Sequence, residues 1–536
     1  MEAFANSHVL SLLRRPVVLA YLALVAGFLW IFCQFYLPGK GFTYLINFGS
    51  KNEQSSLTKL RRVDHYVDRY SDGYDAQYYA QIALDPSLRN TQLLRAVDDL
   101  PYRARRILLS ATAYVMGLGQ PAWILQAFSL QNGICWLLLA WISMRWFPPT
   151  NWINFIRWSG ILLSLGMCAS VRNALLDGPS LLFISVGVLL IELNRPWLAT
   201  AVLGLSGLGK ETNLLGAASL LPTRDAGWKE WGWATVRGAL TSVPLMLWVF
   251  YLYLHFGPVS PVGLRNFALP FTGYGHKWHE TLASFPALSG RNLHPLANLS
   301  MLIAITVQFL YLVLRPQWRQ AWWRVGVSFA LLTIFLGDAV WEGEPGAASR
   351  VLLPMQFAFN VLVPSRRWWL PILLLGNLTL LTGHIMLDPL ANEGYEIKGN
   401  RSLLSGPTGR SMAMDFSEGW YADEHDRDNY WTWSSGNCVL MVHNPHAQSL
   451  RVRLRFVLSP NGARSVMVRL NGTEKWQTLL GGNDRLSASI SDLVLVPGEN
   501  RIDFMTDTPA CTIGTDRRPL AFNLGNLRLD LLDLQP

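Results

Sequence analysis

Residues 71–86 read Ser-Asp-Gly-Tyr-Asp-Ala-Gln-Tyr-Tyr-Ala-Gln-Ile-Ala-Leu-Asp-Pro, one loop beyond the first long apolar run. Asp72, Asp75 and Asp85 stand here among tyrosines and amides, whereas the chain before residue 390 is otherwise rich in Leu, Val, Ala and Trp. Aromatic rings stack on flat apolar faces, amides hydrogen-bond hydroxyls, and carboxylates take protons. Such a cluster beside an apolar bundle predicts an active site at the water-facing edge of a membrane. Locally, Asp72-Gly73 reads as a turn and Asp75 as the N-cap of a helix over 76–84. A capping Asp and a catalytic Asp are compatible readings.

The class follows from composition. The chain has 536 residues, 51% hydrophobic and 15% charged, with mean hydropathy +0.21; soluble domains carry about 25% charged residues. Apolar runs recur from residue 16 to residue 388, each roughly long enough to cross a hydrocarbon core. The fold class expected is therefore an α-helical polytopic membrane protein of about eleven spans with a C-terminal β-sandwich. The first span, 16–37 behind Arg14-Arg15, is too long for a signal peptide and ends in Leu-Pro-Gly-Lys, not at a small-residue cleavage site. Basic loops at 145–157, 195–196, 222–238, 315–324 and 364–367 predict the cytoplasmic side. The intervening spans then fall near 122–144, 155–171, 179–194, 197–209, 212–222, 235–256, 298–314, 323–340, 348–364 and 368–387. Segment 104–119 is short, and counting it would invert every later loop, so it is expected to lie on the outer face. Tryptophans such as Trp30, Trp146, Trp228, Trp322, Trp323 and Trp368 lie at span ends, as interfacial anchors do. The net charge of +9 sits largely in orienting loops and calls for no nucleic acid.

On this reading residues 38–121, the tips at 172–178, 210–211 and 341–350, the loop 257–297, and everything beyond 390 share the non-cytoplasmic side. Two domains are expected, 1–390 and 391–536. In the second, Leu450-Arg-Val-Arg-Leu-Arg-Phe-Val alternates with period two, Val466–Leu470 runs into Asn471-Gly472, and 501–505 and 524–533 read as further strands. Cys438 and Cys511 both fall there, outside the cytoplasm, where they are expected either to form a disulfide or to remain two thiols.

Polar residues on the outer side suggest a chemistry. Moving a sugar from a lipid-phosphate carrier to a hydroxyl requires a carboxylate to take the acceptor proton, cations to hold the departing phosphate, and aromatic or polar groups to seat the sugar. Asp75 is the first candidate for the base and Asp72 the second. Arg103, Arg105 and Arg106 supply cations, with Lys210 and Arg350 from later tips. Each has a plain structural alternative: Lys210 and Glu211 can pair with each other, Asp177 can cap the helix that follows it, and Arg350 can snorkel. His276 and His279 carry no specific metal-ligand spacing, and no phosphate-binding or dinucleotide fingerprint is present. A flippase for lipid-linked glycan, or a non-catalytic scaffold binding surface polysaccharide, would also place charges outward. The first is expected to show internal repeats, and none is visible; the second leaves the acidic loop unexplained.

Gly73-Tyr-Asp-Ala-Gln-Tyr-Tyr-Ala-Gln-Ile-Ala-Leu-Asp-Pro86, then Tyr102-Arg-Ala-Arg-Arg-Ile-Leu, then Gly209-Lys-Glu-Thr resemble the GT-C class of membrane glycosyltransferases. The similarity is greatest to bacterial relatives of the polyprenyl-phosphate-mannose-dependent mannosyltransferases. Only the first loop is specific, and Ala76 stands where that pattern has Gly. The resemblance implies Asp75 as catalytic base, juxtamembrane helices at 75–84 and 104–119, and a carbohydrate-binding-like appended domain. It implies an inverting, metal-independent transfer without cofactor at the outer face of a bacterial inner membrane. The partners would be a polyprenyl-phosphate sugar donor, a glycan or lipid acceptor and membrane lipid. Arg103, Arg106, Lys210 and Arg350 would hold the donor phosphate, and Gln77, Tyr78, Tyr79, Tyr102, Asp177 and Glu211 would line the substrate side.

Overall fold

The computed structural model describes residues 15–532 except 38, 50–51, 53–54, 69–71, 258–260, 288–292, 344–345, 388–393, 397–403, 406–410, 426–429, 445–447, 483 and 515. Arg14, Pro38, Ser71, the 390/391 boundary and residue 533, which the sequence reading used, lie outside the described residues. The chain forms two compact units: a helical one of residues 1–36 and 40–389, and a β unit of 390–536 that also takes in Leu37–Gly39.

Among the described residues of the helical unit, four helices are long and apolar enough to cross a membrane: Pro16–Cys33, Pro121–Ser143, Trp228–Phe256 and His294–Leu314. A fifth crossing arises if Trp152–Leu162 and Leu165–Arg172, bent by 43° at Leu163-Ser164, count as one. Of the about eleven spans expected, the remaining ones correspond among the described residues to shorter or broken helices. Leu353–Leu362 has 10 residues, Pro196–Gly207 has 12, and Glu211–Leu220 is a 3-10 helix. The cause is punctuation inside apolar runs. Asn377 ends the helix Leu370–Gly376, and its amide is matched reciprocally by Asn360, with N–O distances of 2.8 and 2.9 Å. The Asn377 amide also donates to the Leu373 carbonyl at 2.9 Å, so the side chain at the break is satisfied inside the bundle, which is the condition for irregular backbone among apolar helices. Trp322 and Trp323 are not surface anchors: both are buried, Trp322 stacked on Phe357 at 4.2 Å and Trp323 bonded to the Leu312 carbonyl.

The acidic segment builds the helix Ala76–Leu84. Pro86 ends it, because a residue before proline is driven out of the α region, and Asp85 accordingly sits at φ −150°, ψ 73°. Gly73 holds φ +76°, and a Cβ there would lie 2.6 Å from the Gly49 nitrogen and 2.5 Å from the Gln77 amide, so only glycine fits this turn. Gln77 and Gln81 then act as internal struts. Gln77 accepts from Gly49 N (3.2 Å) and donates to the Asp72 carbonyl (2.8 Å), and Gln81 accepts from Leu57 N (2.9 Å) and donates to the Ala96 carbonyl (2.9 Å). Segment 104–119 contains the helix Ile107–Met116, fastened to the acidic helix by Ser110 Oγ on the Tyr79 carbonyl at 2.8 Å.

The β unit contains two six-stranded sheets, antiparallel throughout their recorded pairings. One hydrophobic core draws Leu440, Val466, Val468 and Phe504 from one sheet and Val452, Leu454, Phe456 and Leu524 from the other. Strand Leu450–Pro460 alternates strictly, its even-numbered residues inward. Arg464–Leu470 turns into Thr473–Leu480 at Asn471 (φ 49°) and Gly472 (φ 81°), the left-handed pair that a two-residue hairpin requires. The two cysteines do not join. Cys438 is buried in the core while Cys511 is exposed beside Asn461 on a separate two-stranded ribbon, and all five cysteines are free.

Candidate functional site

A cavity of about 450 Å³ in the helical unit gathers side chains from the acidic helix, from 102–106, and from the turns at 175–177, 210–212 and 347–351. Five cations line it, Arg103, Arg105, Arg106, Lys210 and Arg350, against three carboxylates, Asp75, Asp177 and Glu211. Leu332, Leu336, Phe267 and Val340 form an apolar wall.

Asp75 occupies the N-cap position of Ala76–Leu84, but its carboxylate caps nothing. Instead Oδ1 lies 2.9 Å from the Arg103 guanidinium, with the side chain 43% exposed, so its remaining oxygen positions can meet an acceptor. Arg103 is itself gripped by Asp98 through a two-bond fork, Nε to Oδ1 at 3.0 Å and Nη2 to Oδ2 at 2.7 Å. Burial works against the Arg103 charge, but Asp98, Tyr79 and Asp75 outweigh it and hold the guanidinium above its ordinary value. Arg103 therefore anchors Asp75 and does not present an open fork to a phosphate. Neighbouring Asp99 caps Leu100–Ala104 by accepting from Tyr102 N at 2.9 Å, which fixes how the arginines leave their helix.

Arg106 is similarly engaged. It donates to Glu211 Oε2 (2.8 Å), Tyr79 Oη (2.9 Å) and Tyr102 Oη (3.2 Å). Burial pushes the Tyr79 phenol above its usual range, with Arg106 and Arg103 opposing it in part. Lys210 and Glu211 do not pair with each other. Lys210 binds Asp177 Oδ1, Glu211 serves Arg106, and Arg350 reaches Asp177 Oδ2 at 3.2 Å and Tyr74 Oη at 3.3 Å. Asp177 is thus a buried counter-ion for two cations; the N-cap of its own helix is Leu176. Arg350, 9% exposed at its side chain, does not snorkel.

Arg105 differs from the rest. It lies over the Tyr102 ring at 4.7 Å, and its nearest carboxylate oxygen, on Glu211, is 3.9 Å away. Its Nε is buried without a hydrogen-bond partner, as is Glu211 Oε1. Among the cavity arginines it has the donors left to grip an incoming anion.

Several expected site residues fall elsewhere. Gln77, expected on the substrate side, has both amide ends on backbone. Tyr78 is half-buried under Arg103 at 5.1 Å and does not line the cavity. Asp72 braces the loop through its carbonyl, which accepts from Asn52 and Gln77. Asp85 is tied to Ser87 and Asn90 at the far end of the helix. His276 sits with Asp338 at 3.0 Å on an exposed surface. Sequence reasoning missed Asp98, Tyr74 and the distinction of Arg105. Asp98 precedes a recognisable cap at Asp99, and that adjacency was the available signal.

No family model matches the chain, and no curated protein matches it. Solved structures do. The arabinosyltransferase EmbB from Mycobacterium smegmatis matches at 12% identity over 85% of this chain and 62% of its own, with a TM-score of 0.28. The Podospora anserina GH26-CBM35 β-(1,4)-mannanase matches at 13% identity over 27% of this chain and 29% of its own, TM-score 0.17. The CBM36-1 domain of a xylanase from the hindgut metagenome of Trinervitermes trinervoides matches at 10% identity over 23% of this chain and 99% of its own, TM-score 0.16. The chain spans less than two thirds of the length of the first two.

Proposed function

We propose that the chain is a membrane glycosyltransferase that moves a sugar from a polyprenyl-phosphate donor to a hydroxyl of a cell-surface glycan or lipid, at the periplasmic face of a bacterial inner membrane. The observation that carries this reading is one cavity holding a half-exposed carboxylate, a surplus of cations and an apolar wall.

Charge makes the argument. A donor phosphodiester carries one negative charge; the phosphate monoester that leaves carries about −1.5 to −2 near neutral pH. Cations in excess of carboxylates favour the leaving state over the bound donor, which is the differential binding that lowers a barrier. In the step itself Asp75 takes the proton of the acceptor hydroxyl. The acceptor oxygen bonds the anomeric carbon from the face opposite the phosphate, the C–O bond to phosphate breaks, and its electron pair stays on the phosphate oxygen, so the centre inverts. Arg105 is the principal phosphate ligand, with Lys210 and Arg350 behind it. Arg103 and Arg106 are positioning residues, one for Asp75 and one for Glu211 and the phenols of Tyr79 and Tyr102. The wall of Leu332, Leu336, Phe267 and Val340 suits an isoprenoid chain arriving from lipid.

The test is transfer in proteoliposomes supplied with a panel of polyprenyl-phosphate sugars. Asp75→Asn is expected to lose transfer by roughly 100-fold or more, in the range a positioned base contributes, while donor binding persists. Normal turnover by that variant removes the assignment.

A further inference from the structure

One polar side chain on the cavity wall takes no part in the transfer step. Asn266 ends the 3-10 turn Pro261–Asn266 and lines the cavity together with Tyr102, Arg105 and Gly263. Half of its amide is used, Nδ2 donating to Tyr102 Oη at 3.3 Å. The other half, Oδ1, has no hydrogen-bond partner among the described residues.

The turn that carries this amide is firmly placed. Gly337 N donates to the Asn266 carbonyl at 2.8 Å and Ala268 N to the Phe335 carbonyl at 2.9 Å, which ties the segment to the end of the helix Ala321–Phe335. A Cβ at Gly337 would stand 2.8 Å from the Arg265 carbonyl oxygen and 3.2 Å from the Asn266 carbonyl carbon, so this approach needs a glycine. Side chains three apart on a 3-10 helix eclipse, so Gly263 and Asn266 share one face of the turn. Gly263 is the bare half of that face: a Cβ there would already lie 3.4 Å from the Tyr102 ring and 3.8 Å from Arg105 Nη2. The Asn266 amide therefore stands on the Tyr102–Arg105 side of the cavity, beside the seat of the phosphate.

We infer that Asn266 reads the C2 hydroxyl of the donor sugar and so selects donors with a free hydroxyl at that carbon. The inference rests on the transfer reading and names the part of the donor that this amide meets. A phosphodiester offers only acceptors to the open oxygen, and an isoprenoid chain offers no polar group, so neither satisfies it. A hydroxyl donates and accepts, and pairs with either end of a primary amide. Position selects which hydroxyl. The phosphate is bonded to C1, and C2 is the next carbon, so its hydroxyl is the one nearest a phosphate held by Arg105. Hydrogen bonds to that hydroxyl strengthen as positive charge develops at the anomeric carbon, so the contact acts on rate as well as on binding.

The experiment measures equilibrium binding of three lipids to the full-length protein in nanodiscs: polyprenyl-phosphate mannose, polyprenyl-phosphate glucose and polyprenyl-phosphate 2-deoxyglucose. The first two differ only in the orientation of the C2 hydroxyl, and the third lacks it. The wild type is expected to bind one of the first two roughly 10-fold more tightly than the third, the scale of one hydrogen bond. Asn266→Leu should bind all three with the affinity that the wild type has for the 2-deoxy lipid. Asn266→Asp should keep the preference, since a carboxylate still accepts from a hydroxyl, while its charge beside the phosphate weakens all three. The proposal is overturned by a wild type that binds the three lipids equally or binds none of them. It is equally overturned if Asn266→Asp loses the preference, or if Asn266→Leu weakens all three alike, the mark of a mere brace on Tyr102. The transfer reading is judged apart, by turnover: a wild type that transfers sugar without discriminating at C2 remains an enzyme and loses only this role for Asn266.

Discussion

Asp177→Asn should be among the most damaging single substitutions in the helical unit for stability. Its carboxylate is 5% exposed and answers both Lys210 and Arg350, themselves only 12% and 9% exposed. At an effective dielectric near 20, a pair at this range attracts by about 4 kcal/mol before desolvation is subtracted. Asparagine keeps the shape and removes the charge, so two cations face each other across a neutral amide. Breaking a buried ion pair by removing one partner costs about 3–5 kcal/mol, because the remaining charge is already desolvated. The assay is denaturant unfolding in mixed micelles, with the double variant Asp177→Asn/Arg350→Gln beside the single. Removing one orphaned cation should restore about half of the loss, on the order of 2 kcal/mol, without restoring transfer, since Arg350 also faces the phosphate. A loss below about 1 kcal/mol in the single variant, the scale of a surface pair, refutes the reasoning. So does a double variant no more stable than the single.

Arg105→Gln should reduce kcat/KM for the lipid donor by roughly 10- to 100-fold with little change in stability, since Glu211 keeps its closer pair with Arg106; single-turnover kinetics and a melting curve read the two effects. Asp98→Asn should lower kcat by roughly 10-fold with KM for donor nearly kept, because Arg103 loses the fork that aims it at Asp75; the KM-against-kcat split is the measurement. In the β unit, hydrogen bonds from Arg518 hold the Asp516 carboxyl below its usual range. A depressed folded value contributes stability above the ordinary value of about 3.9 that is lost as pH falls through the folded one. Amide protection factors in 516–522, taken against the intrinsic exchange rate at each pH, should therefore fall on acidification through that window, and less so in Asp516→Asn.

The acidic helix, the first-loop location of Asp75 and the period-two strands were legible because each rests on local chemistry: a proline stop, a turn glycine, alternation. The helix lengths were not. An apolar run says that a segment is buried, and residues 348–364 are as apolar when broken at Leu352 as they would be in one helix. The disulfide failed for a related reason, since placing Cys438 in the core and Cys511 on an exposed ribbon depends on three-dimensional position. Pairing of charges was the hardest to foresee. Lys210 and Glu211 are adjacent in sequence, yet each answers a group at least 30 residues away in the chain, because the turn directs successive side chains apart. The roles of Arg103, Arg105 and Arg106 were likewise hidden, since composition does not distinguish an arginine already claimed by carboxylates from one with donors free.

Those three arginines occupy four consecutive positions at the junction of Leu100–Ala104 and Ile107–Met116. Each helical residue turns the chain by about 100°. One residue inserted there would rotate the second helix out of phase and hand Glu211 the wrong guanidinium, whereas the same insertion ahead of the cap, beside exposed Thr91, would leave all three bearings intact. Length variation in this loop is thus allowed on one side of the cap at Asp99 and forbidden on the other.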